Sequence, residues 1–399
     1  MKSSESAQSM PQTSFSFHGK AGKYFIICLV NVLLVFITLG IYLPWAMVKC
    51  RRYIYSNMEL NGARFSYRAT GGAFFKSWLL IMILYIVVTV ACGIISPSLT
   101  GLSAIIFIAL MPLMVVKSLR YQADVSSLNN VRFGFSCSLG KAYWTMLILP
   151  LLLVLGSAII ITLMIYLMGD DSELTGLIVR LAVMILLSLV IVGLVIGVLY
   201  WQIMNLTGNS ARFGIHRFNI NVPLKCCIKT GILSMLILVP FVIVIAKLLS
   251  PLAIDVSMES MSGRLDEQVK EALFIKYSLQ IFVSYLLYIA ALVLMGSFAV
   301  ASIRNLFFNG LYLEKALTFR STVTFTGLLM QVLVMVLAIG CTCWLAYPWA
   351  KIRLVRYLAS NTHVIGYLDN VEFRDTDEPN DSGFLAAVSR GIMPVVPLI

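Results

Sequence analysis

Few side chains in this sequence are able to do chemistry, and their placement decides which chemistry is open. All eighteen acidic residues fall outside the long apolar runs. A proton-coupled carrier needs a carboxylate within such a run, where an ionisable residue is a functional candidate by default. Arg180 and Lys247 come nearest, but both sit close to the ends of their runs, where long side chains reach the interface. The three histidines, His18, His216 and His363, occur in neither HExxH nor HxxxH spacing. The eight cysteines include no CxxC pair: Cys28, Cys92, Cys341 and Cys343 lie in or beside apolar stretches, and Cys50, Cys137, Cys226 and Cys227 in basic connectors. They read as small packing residues rather than a metal site or a disulfide framework. No Ser-His-Asp order, nucleophile elbow, Walker loop or GxGxxG after a strand is present. No catalytic, metal or cofactor-binding residues are therefore expected, and a lipid-modifying enzyme is the weakest alternative.

What remains is a basic, aromatic motif. LPWAMVKCRRYIYSN (43–57) returns as YPWAKIRLVRYLASN (347–361), 304 residues later and without a gap. The identities are Pro44/Pro348, Trp45/Trp349, Ala46/Ala350, Arg52/Arg356, Tyr53/Tyr357, Ser56/Ser360 and Asn57/Asn361. Residues 111–135 align with 43–67 through Pro112, Lys117, Arg120, Tyr121, Leu128, Asn129, Arg132 and Phe133. Proline lacks an N–H and kinks a helix, tryptophan favours the headgroup level, and the cations that follow reach phosphates. The candidate collar for lipid headgroups is Trp45, Lys49, Arg52, Tyr53, Lys117, Arg120, Tyr121, Trp349, Arg353, Arg356 and Tyr357. Simple interfacial anchoring and specific anion binding both fit it. Asn31 and Gln331 are the polar residues inside the two apolar runs that lead into PWA. They serve either as interhelical hydrogen bonds, each contributing about 0.6–2 kcal/mol, or as contacts to a substrate.

The elements that must position these residues follow from composition. Of 399 residues 60% are hydrophobic and 12% charged, with a mean hydropathy of +0.92. A soluble domain carries roughly 25% charged residues, so the chain belongs to the membrane class. Its net charge of +12 sits beside apolar runs, which points to anionic lipid rather than to nucleic acid. Runs near the roughly 20 residues a bilayer demands occur at 24–43, 77–96, 101–117, 143–168, 177–200, 230–249, 277–300 and 326–347. The expected fold is an all-α polytopic membrane protein with about eight apolar helices. The polar connectors are read as short β-hairpins, since Asn61-Gly62 between alternating residues is a strong hairpin signal, and several hairpins on one face are expected to pair into a small sheet.

Apolar helix, basic helix end and hairpin recur, giving helix–hairpin–helix modules near 24–75, 101–142, 177–227, 277–325 and 326–373, within one membrane domain at 15–373. ARFGI (211–215) reads as the tail of the third copy and FSFHG (15–19) as a tail without its helix. In that alignment His18 and His216 share a position with Arg68, Ser136 and Arg320. Residues 1–14 are expected to be flexible, and 374–399 to form a polar linker and a short interfacial segment. The hairpin connectors are basic and the opposite ones short or acidic, as in GDDSELTG (169–176), which places the hairpins in the cytoplasm. Segments 24–43 and 326–347 then either cross once or dip in and return as re-entrant helices. GLVIG (193–197) is compatible with close helix packing.

The stretches FSFHGKAGKYF, ITLGIYLPWA, VKCRRY, NGARFSY and GFLAAVSRGIMP resemble the YjgN-type inner-membrane proteins of gamma-proteobacteria, a bacterial family of unknown function. The resemblance covers essentially the whole chain. It implies a multi-pass protein of the bacterial inner membrane and supplies no catalytic residues. The functional expectation is a membrane scaffold or headgroup-binding protein, whose partners are membrane lipids. The alternative is a transporter or channel for an uncharged, amphiphilic or lipidic solute.

Overall fold

The computed structural model describes residues 11–167, 174–263, 266–314, 316–367, 374 and 384–390. Ten short strands organise it: β1 (Gln12–Phe17), β2 (Met58–Leu60), β3 (Ala63–Tyr67), β4 (Ser126–Leu128), β5 (Val131–Phe135), β6 (Ala211–Phe213), β7 (His216–Ile220), β8 (Leu311–Leu313), β9 (Leu317–Ser321) and β10 (Thr362–Ile365). Each pairs antiparallel with its neighbours in chain order, and β1 closes the ring by pairing with both β2 and β10. Closure matters because strands of three to six residues are marginal alone, and a barrel leaves no unpaired edge.

The turns follow from local chemistry. Asn61 and Gly62 take φ of 48° and 80°, and Asn129 and Asn130 take 50° and 64°, the two positive values that a two-residue type I′ hairpin requires. In β6–β7 the turn is Gly214-Ile215, with Gly214 at φ 53°. Here the sequence reading is corrected. Ala211–Phe213 is the first strand of the third hairpin, not the second, and HRF (216–218) takes the place of ARF (63–65). The three-letter identity between the two ARF stretches outweighed the turn that follows the later one. The position of His18 and Arg68 is consequently held by Ser136, Asn221 and Thr322, not by His216 or Arg320.

The alternation then becomes uniform. The third residue of each second strand is a phenylalanine: Phe65, Phe133, Phe218 and Phe319, with Phe15 in β1. These rings pack against buried Leu60, Leu128, Phe213, Leu313 and Val364 from the first strands. Phe15 and Phe65 stack at 6.1 Å, Phe65 and Phe133 at 6.2 Å, and Phe133 and Phe213 at 4.9 Å. The barrel interior is a packed apolar core. The all-α expectation therefore needs correcting: the chain is mostly helical, but a closed barrel anchors the helices.

Five helical excursions leave this barrel, all from the rim opposite the hairpin turns. From β1 to β2 run α1 (Ala21–Ile37) and α2 (Leu43–Ser56). From β3 to β4 run α3 (Gly71–Ile95) and α4 (Thr100–Asp124). From β5 to β6 run α5 (Leu139–Tyr143), a π-helical turn at Trp144–Ile148, α6 (Leu149–Leu167) and α7 (Leu174–Ser210). From β7 to β8 run α8 (Leu224–Leu236), α9 (Val239–Met261), α10 (Glu267–Lys276) and α11 (Ser278–Gly310). From β9 to β10 run α12 (Phe325–Cys341) and α13 (Tyr347–Ser360). One backbone bond ties off every excursion at the rim: His18, Arg68, Ser136, Asn221 and Thr322 donate their N–H to the carbonyls of Asn57, Val125, Ser210, Gly310 and Asn361 at 2.8–2.9 Å.

Six helices, Gly71–Ile95, Gly101–Asp124, Leu139–Leu167, Val183–Ser210, Leu224–Met261 and Ser278–Gly310, are long and apolar enough to cross a membrane. Their apolar windows are only 0–28% buried by protein, so hydrocarbon must cover their sides. α1 and α12 are shorter, at 17 residues each, and each turns back through a second helix to the barrel. A threonine makes both turns. Thr38 Oγ1 donates to the Leu34 carbonyl at 2.7 Å and accepts the Tyr42 N–H at 3.0 Å. Thr342 Oγ1 donates to the Ala338 carbonyl and accepts the Ala346 N–H at 2.9 Å. Gly40 at φ 91° completes the first turn. Pro44 and Pro348 sit in the first turns of α2 and α13, where the missing N–H costs nothing. They begin these helices rather than kinking them, while Pro112 lies inside α4.

The GLVIG stretch packs as its spacing implies. A Cβ added at Gly197 would lie 2.6 Å from the Ile228 Cα, and one at Gly193 2.8 Å from the Ile232 Cα, so α7 and α8 touch backbone to backbone. At the C-terminal end α14 (Phe384–Ser389) packs on α3 and α4. Val388 and Ser389 are buried there, and Ser77 Oγ donates to the Val388 carbonyl. That stretch of the expected interfacial segment is therefore covered by protein. The other C-terminal residues, apart from Arg374 and Arg390, and residues 1–10 lie outside the described residues, whereas Gln12, Thr13 and Ser14 of the expected flexible N-terminus lie in β1, paired with β10.

Candidate functional site

The cationic and tyrosine collar residues stand toward the ends of helices returning to the barrel, and counting back from the residue that closes each excursion puts them in register; Trp45 and Trp349 stand at the starts of α2 and α13. Five residues back stand Arg52, Arg120 and Arg356, with Asn205 and Asn305 in the other two excursions. Arg52 donates to the Ala69 carbonyl at 2.7 Å, Arg120 Nε to that of Phe135 at 3.2 Å, and Arg356 to that of Gly19 at 3.1 Å. Asn305 Nδ2 does the same for Val323 at 2.7 Å. In the third excursion Trp201 Nε1 takes over, donating to Val222 at 2.9 Å. Each bond joins one returning helix to the entrance of the next excursion, and the Arg356–Gly19 bond joins the two ends of the chain. These arginines have a structural task, although Arg52 and Arg356 remain exposed.

Four residues back stand Tyr53, Tyr121 and Tyr357, with Leu206 and Leu306 in the other two. Tyr53 Oη accepts the Lys20 N–H at 2.8 Å, and Tyr357 Oη lies 3.5 Å from Thr324 Oγ1. Each clasps the residue from which its own entering helix starts. Tyr121 meets Phe74 edge-on at 5.8 Å and lies under the Arg390 guanidinium at 5.3 Å.

Eight residues back stand Lys49, Lys117 and Arg353, with Gln202 and Ser302 in the other two. Lys49 is exposed, its ammonium 5.3 Å from the Tyr42 ring centre. Arg353 lies 5.7 Å from the exposed Trp349 ring and donates to Gln331 Oε1 at 2.7 Å. Lys117 is half-buried on α4. The two tryptophans differ. Trp45 wedges between α2 and α3, 5.2 Å from Phe75 and so close to Gly71 that an added Cβ would lie 2.4 Å from its Cδ1. Trp349 is 45% exposed.

Asn31 is buried and donates from Nδ2 to the Ala46 carbonyl at 3.3 Å, so it links α1 to α2. Cys28 and Cys50 lie beside it, their sulfurs 4.0 Å apart. Asn31 and Gln331 thus each bond within their own helix pair. Outside the barrel, Glu59 lies between His18 and Arg64 at 3.4 and 3.3 Å. Glu314 Oε2 meets His216 Nδ1 at 2.7 Å, and its Oε1 accepts the Arg217 N–H at 3.0 Å. The His216 hydrogen bond first, and then the Arg217 N–H, hold the Glu314 carboxyl below its ordinary range. Among the described residues no group of three or more His, Cys, Asp and Glu side chains converges as a metal site would require.

Sequence reasoning passed over Thr38 and Thr342, although they share the 304-residue offset of the PWA motif. It also passed over Trp201 and Asn305, which do the work of the arginines with different chemistry and left no identity to find.

The family described as "Bacterial protein of unknown function (DUF898)" matches residues 12–388. The chain is 46% identical over 390 residues to a Salmonella typhimurium protein named "Inner membrane protein YjgN", covering 96% of both chains. It is 36% identical over 392 residues to a protein of the same name from Escherichia coli O157:H7, covering 98% of both. No solved structure matches.

Proposed function

The chain belongs to this bacterial family of unknown function, and from that premise we propose that it is an inner-membrane scaffold that organises lipid around the rim of its barrel. The observation that carries the reading is the row of cations eight residues before the rim, Lys49, Lys117 and Arg353, set among tyrosines and tryptophans. Each cation near an anionic surface contributes about 1 kcal/mol of attraction, and aromatic rings favour the same depth. In this reading one strand–helix–helix–strand module was multiplied to five copies, and two of them kept short helices. The pairs α1–α2 and α12–α13 dip into the bilayer and return. Every hairpin then lies in the cytoplasm, the barrel caps the cytoplasmic face, and the acidic stretch around α10 faces outward. No enzymatic reaction is assigned.

Transport of an amphiphilic solute is less well supported. The barrel axis is filled by Phe15, Phe65, Phe133, Phe218 and Phe319 packed on the first-strand core, so a path would have to avoid it.

Native mass spectrometry of the purified protein tests the reading. Lys49→Ala, Lys117→Ala and Arg353→Ala combined are expected to lower retention of anionic lipid, with the unfolding temperature measured beside it because Arg353 also bonds Gln331. Arg52 and Arg356 are unsuitable, because their loss also frees backbone carbonyls. Retention equal to wild type would remove the rim as a lipid site. In a cysteine-free background, a cysteine at Asn61 is expected to be shielded from a periplasmic reagent and one at Ser98 to be labelled. The opposite pattern would invert the topology.

A further inference from the structure

We propose that the cavity between α8 and α11 binds the phosphate-bearing headgroup of one anionic phospholipid. This deepens the lipid-organising reading and rests on it. The cavity is about 420 Å³, within the roughly 300–1,000 Å³ of small-ligand sites. One lining position sets this excursion apart from the first and fifth. In the first and fifth excursions a tyrosine four residues before the rim reaches across to the start of the entering helix, as Tyr53 does to Lys20 and Tyr357 to Thr324. The fourth excursion has Leu306 there, which is too short and carries no hydroxyl. The third has Leu206, but that side chain is buried. Leu306 is half-buried, packed on the cluster around Phe307 and lining one side of the cavity.

The chemistry of the lining selects an anion. Lys229 supplies an ammonium, Asn221 and Asn309 supply amides, and Thr230 and Ser302 supply hydroxyls; no carboxylate is among the lining residues. Lys229 is exposed at the mouth, and Lys225 stands one turn earlier on the same helix. Asn309 is held in place because its Oδ1 accepts the Ser321 N–H at 2.8 Å, which leaves its NH₂ to donate. The order along α8 selects an amphiphile. Asn221, Lys229 and Thr230 are interspersed with Pro223 and Cys226 at the barrel end of the lining, and Leu233 follows on the side away from the barrel, where acyl chains would run. Phosphate is the chemistry shared by a lipid headgroup and a free phosphate ion; the leucine end favours the lipid.

Full-length protein in phosphatidylcholine nanodiscs is titrated with phosphatidylglycerol, and separately with inorganic phosphate and glycerol phosphate, with bound lipid counted by native mass spectrometry. One phosphatidylglycerol is expected to be held tightly. Lys229→Gln and Leu306→Tyr should each weaken it about tenfold, whereas Lys229→Arg should keep it. Leu306→Tyr fills the cavity with the residue its counterparts use, and an unchanged unfolding temperature shows that it still folds. If both variants hold that lipid as wild type does, the cavity assignment is overturned. The rim reading then still stands if the Lys49/Lys117/Arg353 variant loses lipid, and falls with it if that variant does not. Equal binding of inorganic phosphate, without retained lipid, would overturn the lipid assignment.

Discussion

At the scale of single residues, the structure separates what a side chain is from what it holds. Arg52 and Arg356 were legible as a pair, but their partners were not. The Ala69 carbonyl lies 17 residues away and that of Gly19 lies 337 away, and no local pattern announces a backbone acceptor. Thr38 and Thr342 each make two bonds that a valine of equal shape cannot. Thr38→Val and Thr342→Val are each expected to lower stability by about 1–2 kcal/mol, read as a lower unfolding temperature in detergent. An unchanged temperature would mean that the turn holds without the hydroxyl. Glu314 supplies a pH test with a definite sign. Its carboxyl is held below the ordinary range by His216 and the Arg217 N–H. The stability it contributes is therefore present above the usual glutamate pKa of about 4.3 and is lost as pH falls through the lower folded value. Unfolding of wild type and Glu314→Gln should differ at pH 7 and converge in acid below that range. A difference that stays constant with pH would assign the effect to something other than this carboxylate.

At the scale of elements, the hairpins were readable and their closure was not. Asn61-Gly62 and Asn129-Asn130 state their turn type in the sequence. The fifth hairpin is divided between β10 and β1, and no window of sequence contains both. The phenylalanine third from the end of each second strand was visible in TSF, ARF, VRF, HRF and LTF once the third copy was shifted by five residues. Since these rings fill the barrel, Phe133→Ala is expected to cost about 3 kcal/mol, measured by denaturant or thermal unfolding. A loss under 1 kcal/mol would show that the interior repacks around the gap. The α7–α8 contact is equally sensitive. A methyl at Gly231 would lie 2.2 Å from the Gly193 carbonyl oxygen, so Gly231→Ala must push the two helices apart. Reduced protease resistance of this helix pair is the expected readout, and wild-type resistance would show that the contact has slack.

At the scale of the whole molecule, the repeated PWA motif acquires a geometric meaning. The two copies belong to the first and last excursions, which are neighbours around the ring. α1 packs on α13, and β1 pairs with β10. Removing residues 1–17 deletes the strand that serves both β2 and β10 and leaves two raw edges. Aggregation during purification is expected. Placing residues 12–17 behind Ile365 through an Asn-Gly turn should restore monodisperse protein, because Gln12 already stands opposite Ile365. Failure of that graft, with a wild-type control intact, would show that β1 must enter from α1 to pair.

The closing strand also sets a clock. β1 is made long before its second partner, which ends at Ile365. At roughly 5–20 residues per second, synthesis separates the two by roughly 20–70 seconds. Throughout that interval the growing chain holds an open sheet edge. A ribosome that stops before Ile365 leaves that edge exposed, and one that passes it allows the edge to be hidden. Barrel closure thus waits on the last strand of the ring, β10.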